Sequence, residues 1–169
     1  MYIFGDIANN LTEANIYKAA RNTFDNQFTQ TWLVGNERDR LKRGLDVEGA
    51  LLRTDQSQLK AGNVSKFYSD YTVAIKRDKG QITSNVTLND TGAFYKSFKI
   101  TAAQTFVSFD ADFIKTDGHI ADNFELSYGS ETEFEQSVLG LSEEDKNSFF
   151  EQVFLPFFIN NFLNIMMNV

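Results

Sequence analysis

The sequence predicts an α+β fold: a small antiparallel β-sheet packed by an N-terminal helix and a long or kinked C-terminal helix. Three observations predict it. Apolar residues repeat at four-residue spacing near both ends of the chain, at two-residue spacing between Phe94 and Phe113, and glycine is sparse within the four-residue runs. A chain of 169 residues forms one domain at roughly 100 to 200 residues per domain. We therefore read residues 1–169 as a single domain, helical over 10–80, sheet-forming over 86–130 and helical again over 142–167.

The first helix is expected from about Leu11 to Trp32. Asn10 and Glu13 have the spacing of a capping box, and Ile16, Ala20, Phe24, Phe28 and Trp32 form one stripe. A second, short helix is expected through Glu37 to Arg43, ending at Gly44 and carrying Arg38, Arg40, Lys42 and Arg43. That basic cluster reads first as a solvated face and second as a contact for phosphate or an acidic neighbour. From Leu45 to Val64 the periodicity fails, and Gly44, Gly49 and Gly62 punctuate a loop with at most a short strand near Ala50 to Leu52. A helix over Ser65 to Lys79 then places Phe67, Tyr71, Ala74 and Ile75 on one side. Its cations Lys76, Arg77 and Lys79 suit a helix C-terminus.

After Val86 the period becomes two. Phe94, Phe98, Ile100 and Ala102 form one expected strand, and Val107, Phe109, Ala111 and Phe113 share a face of the next. Ala103-Gln104-Thr105 is the expected turn between them. A third strand is expected around Phe124 to Tyr128, after the turn-like Thr116-Asp117-Gly118. Ser142 then caps the last helix, whose acidic first turn Glu143-Glu144-Asp145 suits the positive end of the helix dipole. Pro156 lacks a backbone donor, so a kink is expected there, or a break that makes it the first residue of a further helix. Glu151, Gln152, Asn160, Asn161, Asn164 and Asn168 interrupt this stretch too often for a membrane span.

Composition narrows the function. No cysteine and a single histidine leave out disulfides, thiolate nucleophiles and Cys/His zinc sites. Residues 1–85 hold 12 Lys+Arg against 10 Asp+Glu, and residues 86–169 hold 4 against 13, so the halves carry +2 and −9. An acidic second half is the opposite of the cationic footprint that sequence-specific DNA binding needs. The amino-terminal run has neither a basic start nor a long apolar stretch, so no signal peptide is expected. His119 near Asp117 and Asp122 reads as a surface loop residue. The acidic run Asp110, Asp112, Asp117, Asp122 and Glu125 lacks the calcium-loop pattern. Glu131, Glu133 and Glu135 alternate and, on a strand, would share a solvated face. No catalytic residue, cofactor or metal is expected.

One segment is more specific. Val86-Thr87-Leu88-Asn89-Asp90-Thr91-Gly92-Ala93-Phe94-Tyr95-Lys96-Ser97-Phe98 resembles the motif of tailed-bacteriophage head-tail joining and tail-completion proteins, the small neck or minor structural proteins. Within it Asp90 and Thr91 can bond nearby backbone, and Gly92 permits a tight turn before Phe94 and Phe98. Gly44 to Gly49, Tyr71 to Lys76 and Lys79-Gly80-Gln81 are similar to segments of a variant found in phages of gut bacteria. The likeness spans about residues 10 to 160. His119 to Phe124 departs from the family's usual segment after the second strand. Aspartic proteases also carry Asp-Thr-Gly, but they need two copies of it.

The resemblance implies a non-enzymatic virion structural protein that forms an oligomeric ring at the head-tail connector, or neck, or in the upper tail, assembled in the host cytoplasm. Its partners would be copies of itself and portal, connector and tail proteins, with non-specific passage of DNA through the ring. No sequence-specific nucleic acid and no membrane enter. The motif residues are Asp90, Thr91, Gly92, Phe94 and Ser97. Interface candidates are Trp32, Phe154, Phe157, Phe158, Phe162 and Met166; charged contact candidates are Arg38, Arg40, Lys42, Arg43, Lys76 and Arg77. The acidic stretch 110–151 would line the channel so that DNA slides past it. The alternative is a small cytoplasmic protein-binding module, without catalytic activity, whose phenylalanines are all internal.

Overall fold

The computed structural model describes residues 13–52, 68–103, 106–115, 118–124 and 128–167. The fold is α+β, as expected, with a long C-terminal helical segment. Two helices replace the single one expected over 11–32: α1 (Glu13–Phe24) and α2 (Gln27–Lys42). The break follows from Asn26, whose side chain accepts a hydrogen bond from Phe28 N at 2.9 Å and so starts α2 afresh. Helix α2 then runs through Gly35 and absorbs the short helix expected over 37–43. The buried edge also lies one residue over from the expected stripe. Ala19, Thr23, Leu33 and Leu41 are buried, whereas Ile16 and Phe28 are exposed.

Beyond α2, Asp46 accepts from the amides of Glu48 and Ala50 at 3.0 and 2.8 Å, folding a tight loop closed by a bridge between Leu45 and Leu51. Gly44 cannot be replaced freely there. Its φ is +74°, and a Cβ would stand 2.5 Å from the Val86 carbonyl. Helix α3 (Asp70–Asp78) begins at its cap Ser69, later than the expected Ser65; residues 65–67 lie outside the described residues. It buries Val73 and Lys76, leaving Tyr71 and Ala74 in solvent, so the expected apolar side is not the packed one.

Phe94 is helical where a strand was expected. Gly92, at φ +78°, turns the chain into the short helix α4 (Ala93–Ser97), and the strand starts only at Lys99. Strands β1 (Lys99–Ala102) and β2 (Val107–Asp110) pair antiparallel, with Ile100 opposite Phe109. Ala103 N donates to the Phe106 carbonyl at the hairpin end; Gln104 and Thr105 lie outside the described residues. A second, minimal hairpin joins β3 (Ile114–Lys115) to β4 (Gly118–His119) around the expected turn, whose Thr116 and Asp117 also lie outside the described residues. The expected third strand does not form at its described ends. Phe124 closes a 3-10 helix (Ile120–Asn123), and Tyr128 N donates back to the Phe124 carbonyl.

Glu131, Glu133 and Glu135 lie on a helix, α5 (Glu131–Val138), not on a strand. Ser130 caps it, and its i, i+4 pair Phe134 and Val138 is buried. Ser142 caps α6 (Glu143–Phe149), as the acidic first turn predicts. A π-turn (Phe150–Phe154) follows, with Leu155 N donating to the Phe150 carbonyl, and leads into α7 (Leu155–Met167). This wider turn stands immediately before Pro156, whose ring and missing N–H would disrupt a regular helix. The chain continues through Pro156 as the second residue of α7.

Two apolar clusters hold these elements together. In the first, Phe134 is fully buried, with rings of Phe124, Tyr128 and Phe113 at 4.3, 5.4 and 6.0 Å. The second joins Leu33 of α2 to Leu141, Phe149 and Val153, with Ile100 and Phe109 of the β1–β2 hairpin packed against it. The hairpin thus rests on both the N-terminal and the C-terminal helical layers.

Candidate functional site

The Asp90-Thr91-Gly92 turn is held from several sides. Lys79 Nζ donates to Asp90 Oδ1 at 2.6 Å, and Gln81 Nε2 donates to the Asp90 carbonyl at 2.9 Å. Lys76 Nζ donates to the Asn89 carbonyl at 2.8 Å and to Gln81 Oε1 at 3.2 Å, and it sits 4.9 Å above the Tyr68 ring. Thr91 Oγ1 accepts from Ala93 N at 3.3 Å. Below the turn, the buried Tyr95 hydroxyl donates to the Thr87 carbonyl, while Thr87 N donates to the Tyr68 hydroxyl. Leu88, the residue before Asn89, has φ +50°, a conformation that a branched side chain adopts only under constraint.

Electrostatics follow from this geometry. The hydrogen bond from Lys79, with lesser pull from Lys115 and Lys76, holds the Asp90 carboxyl below its ordinary value. Burial lowers the Lys76 ammonium, against the attraction of Asp90. Burial raises the Tyr95 hydroxyl.

Phe94 and Ser97, the remaining motif residues, anchor the turn to the core. Phe94 lies 5.0 Å from Phe98 and 5.1 Å from Phe113, ring to ring. Ser97 Oγ donates to the Phe94 carbonyl at 2.7 Å and accepts from Asp112 N at 2.8 Å, tying α4 to the chain leaving β2. A cleft of about 270 Å³ opens beside the turn, bounded by Leu88, Asp90, Thr91, Asp112 and Lys115. The carboxylates of Asp90 and Asp112 and the ammonium of Lys115 on its wall make it a place for a polar contact.

The charged candidates divide. Arg40 is buried, and the expectation that it meets solvent or an external anion is corrected: its guanidinium donates to Glu37 Oε1 at 2.8 Å and to the Val138 and Gly140 carbonyls. Lys76 is likewise spent on the turn. Arg38 is half-buried, with Nε donating to the Tyr95 carbonyl at 2.7 Å. Lys42, Arg43 and Arg77 remain exposed, Lys42 beside Asp39 at 2.9 Å.

The aromatic candidates divide too. Trp32 lies 5.5 Å from Phe149, Phe154 lies 5.2 Å from Phe24 and Phe157 lies 5.6 Å from Phe28, so these rings join helices within the chain. Met166 is buried, which removes it from any outer surface. Phe150, Phe154, Phe158 and Phe162 stack in sequence at 5.8, 5.5 and 5.9 Å, with Phe158 and Phe162 half-buried. The large apolar residues most open to solvent on α7 are different ones: Leu155, Ile159, Leu163 and Met167. The aromatic pairs dominate the sequence pattern there and hide this stripe, whose signal is an uninterrupted four-residue spacing free of charge.

His119 serves as a cap. Its Nδ1 accepts from Ala121 N at 3.0 Å, its Nε2 lies 3.1 Å from Glu135 Oε1, and its backbone N donates to Asp122 Oδ2 at 2.9 Å. Among the described residues no group of three or more histidines and carboxylates is placed to hold a metal ion. Among them, too, no helix is long and apolar enough to cross a membrane. Comparison with protein-family models, with curated proteins and with solved structures gives no match to this chain.

Proposed function

We propose that the chain is a structural subunit of a tailed bacteriophage, one copy of an oligomeric ring at the head-tail junction or upper tail, working through contact surfaces and not through catalysis. The observation that carries this reading is the uncharged apolar face left open on the last helix by Leu155, Ile159, Leu163 and Met167. Exposed apolar stretches of this kind mark sites of association. The resemblance of residues 86–98 to the neck-protein motif supports the same reading, and here that motif forms a hydrogen-bonded turn packed on the core through Phe94.

Portal and tail proteins would meet the remaining exposed cations, Lys42, Arg43 and Arg77, and the polar cleft at Asp90. The exposed carboxylates of α5 and α6, Glu131, Glu133, Glu143 and Glu144, would form the acidic wall past which DNA slides. Mass spectrometry of purified particles, with gold-labelled antibody against the chain, tests the proposal. The chain is expected in multiple copies per particle with label at the neck; its absence from particles contradicts the reading. A second reading, a small protein-binding module, draws on the internal packing of Trp32, Phe157 and Met166. It predicts a chain found free of particles and bound to one partner.

A further inference from the structure

On α7, Leu155, Ile159, Leu163 and Met167 are 39%, 48%, 49% and 71% exposed. Successive members are four residues apart and turn by only about 40°, so they form one stripe along the helix. Taking roughly 200 Å² for a large side chain in full exposure, they present on the order of 400 Å² of apolar surface. No charged residue occurs between Gln152 and Val169. Asn160 and Asn164, both exposed, flank the stripe.

We propose that this stripe pairs with the same stripe of a second copy of the chain, helix against helix about a two-fold axis. A two-fold contact sets each patch against its own copy, so a patch with an excess of one charge faces the same excess. The carboxyl half carries 4 Lys+Arg against 13 Asp+Glu, so two copies repel across most of that half and not across the stripe. The flanking asparagines fit the same occupant, because a carboxamide holds both donor and acceptor and complements itself. A basic partner would find no carboxylate on α7. A lipid surface would require cations beside the apolar stripe, and α7 has none. At about half the area per partner of a standard interface, the pair is weak and depends on concentration.

The pairing is a two-copy contact of the free chain, made by the same open face that the ring reading draws on. Sedimentation of the full chain from about 5 to about 500 micromolar tests it. The wild-type mass is expected to rise from one copy toward two across that range, and more steeply in high salt, which screens the acidic surfaces. Ile159→Glu with Leu163→Glu is expected to stay at one copy throughout, with an unchanged far-ultraviolet spectrum. Ile82→Glu, at an exposed apolar residue elsewhere, is expected to behave as wild type. Mixing the Glu double variant with Ile159→Lys plus Leu163→Lys is expected to restore the two-copy species. Three results overturn the pairing: a wild-type chain that remains single at the highest concentration, a Glu variant that associates as wild type does, or no recovery on mixing. A wild-type assembly larger than two copies that the Glu substitutions abolish would remove the pairing and leave the ring; pairing by a chain absent from particles would do the reverse.

Discussion

Arg40 and Glu37, each 1% exposed, meet at 2.8 Å on one turn of α2, and the same guanidinium reaches the Val138 and Gly140 carbonyls about a hundred residues away. One side chain thereby fastens the N-terminal helical layer to the end of α5. Arg40→Ala would leave the Glu37 carboxyl buried and alone. Each buried acceptor orphaned by that change, the Glu37 carboxyl and the Val138 and Gly140 carbonyls, is expected to cost about 1 to 3 kcal/mol in urea unfolding, a large share of the roughly 5 to 15 kcal/mol of an ordinary domain.

The pair also sets a pH dependence. Burial outweighs the Arg40 charge and pushes the Glu37 carboxyl up from 4.5 to about 8. The folded chain therefore keeps a proton that the unfolded chain has released. Its contribution to stability is full below pH 4.5 and is lost as pH rises through about 8. Glu37→Gln cannot titrate, so stability measured from pH 5 to pH 8.5 is expected to fall less in that variant than in wild type.

The two glycines flanking the Asp46 turn separate two costs. Gly49, at φ +81°, has open space around its absent side chain, so Gly49→Ala is expected to lose only the left-handed strain of about 1 to 2 kcal/mol. Gly44→Ala adds a Cβ at 2.5 Å from a backbone oxygen and is expected to lose clearly more. Paired urea curves measure the difference.

At the Asp-Thr-Gly turn, depth decides the ranking. Lys79 and Asp90 are both largely in solvent, so Lys79→Met is expected to cost at most about 1 kcal/mol and to matter less in high salt. Asp90 titrates below its ordinary value. The stability it lends is present above about pH 3.8 and is lost as pH falls through the lowered value. Lys76→Met removes the donor from the Asn89 carbonyl beneath the turn and is expected to cost about 1 to 3 kcal/mol.

Among the phenylalanines, burial predicts unequal roles. Phe134→Ala is expected to cost about 3 to 5 kcal/mol, whereas Phe106→Ala, at a ring largely in solvent, is expected to change stability by less than about 0.5 kcal/mol. Thermal melting of the two variants checks this.

Local chemistry was legible in the sequence where it acted within a few residues. Ser142 with its acidic turn, the hairpin around residue 104 and the disturbance at Pro156 all follow from short-range rules. The break at Asn26 was hidden because the Phe24, Phe28 and Trp32 spacing runs straight across it. Helix α5 was hidden because three alternating glutamates mimic a strand, although Phe134 and Val138 four residues apart carry the helical signal. The burial of Arg40 depends on carbonyls about a hundred residues away, which no local pattern contains. At the candidate site, the Asp90 to Gly92 turn was readable from residue type alone. The open stripe of α7 was not, because it depends on which side of the helix packs against α1.

The proposed ring role puts many copies of this chain side by side in one particle. Cryo-electron reconstruction of the head-tail junction, averaged without imposed symmetry, tests it most directly. The proposed role predicts a closed ring into which this fold docks in every subunit. Particles whose junction contains no density for the fold, or only a single copy of it, would contradict that role.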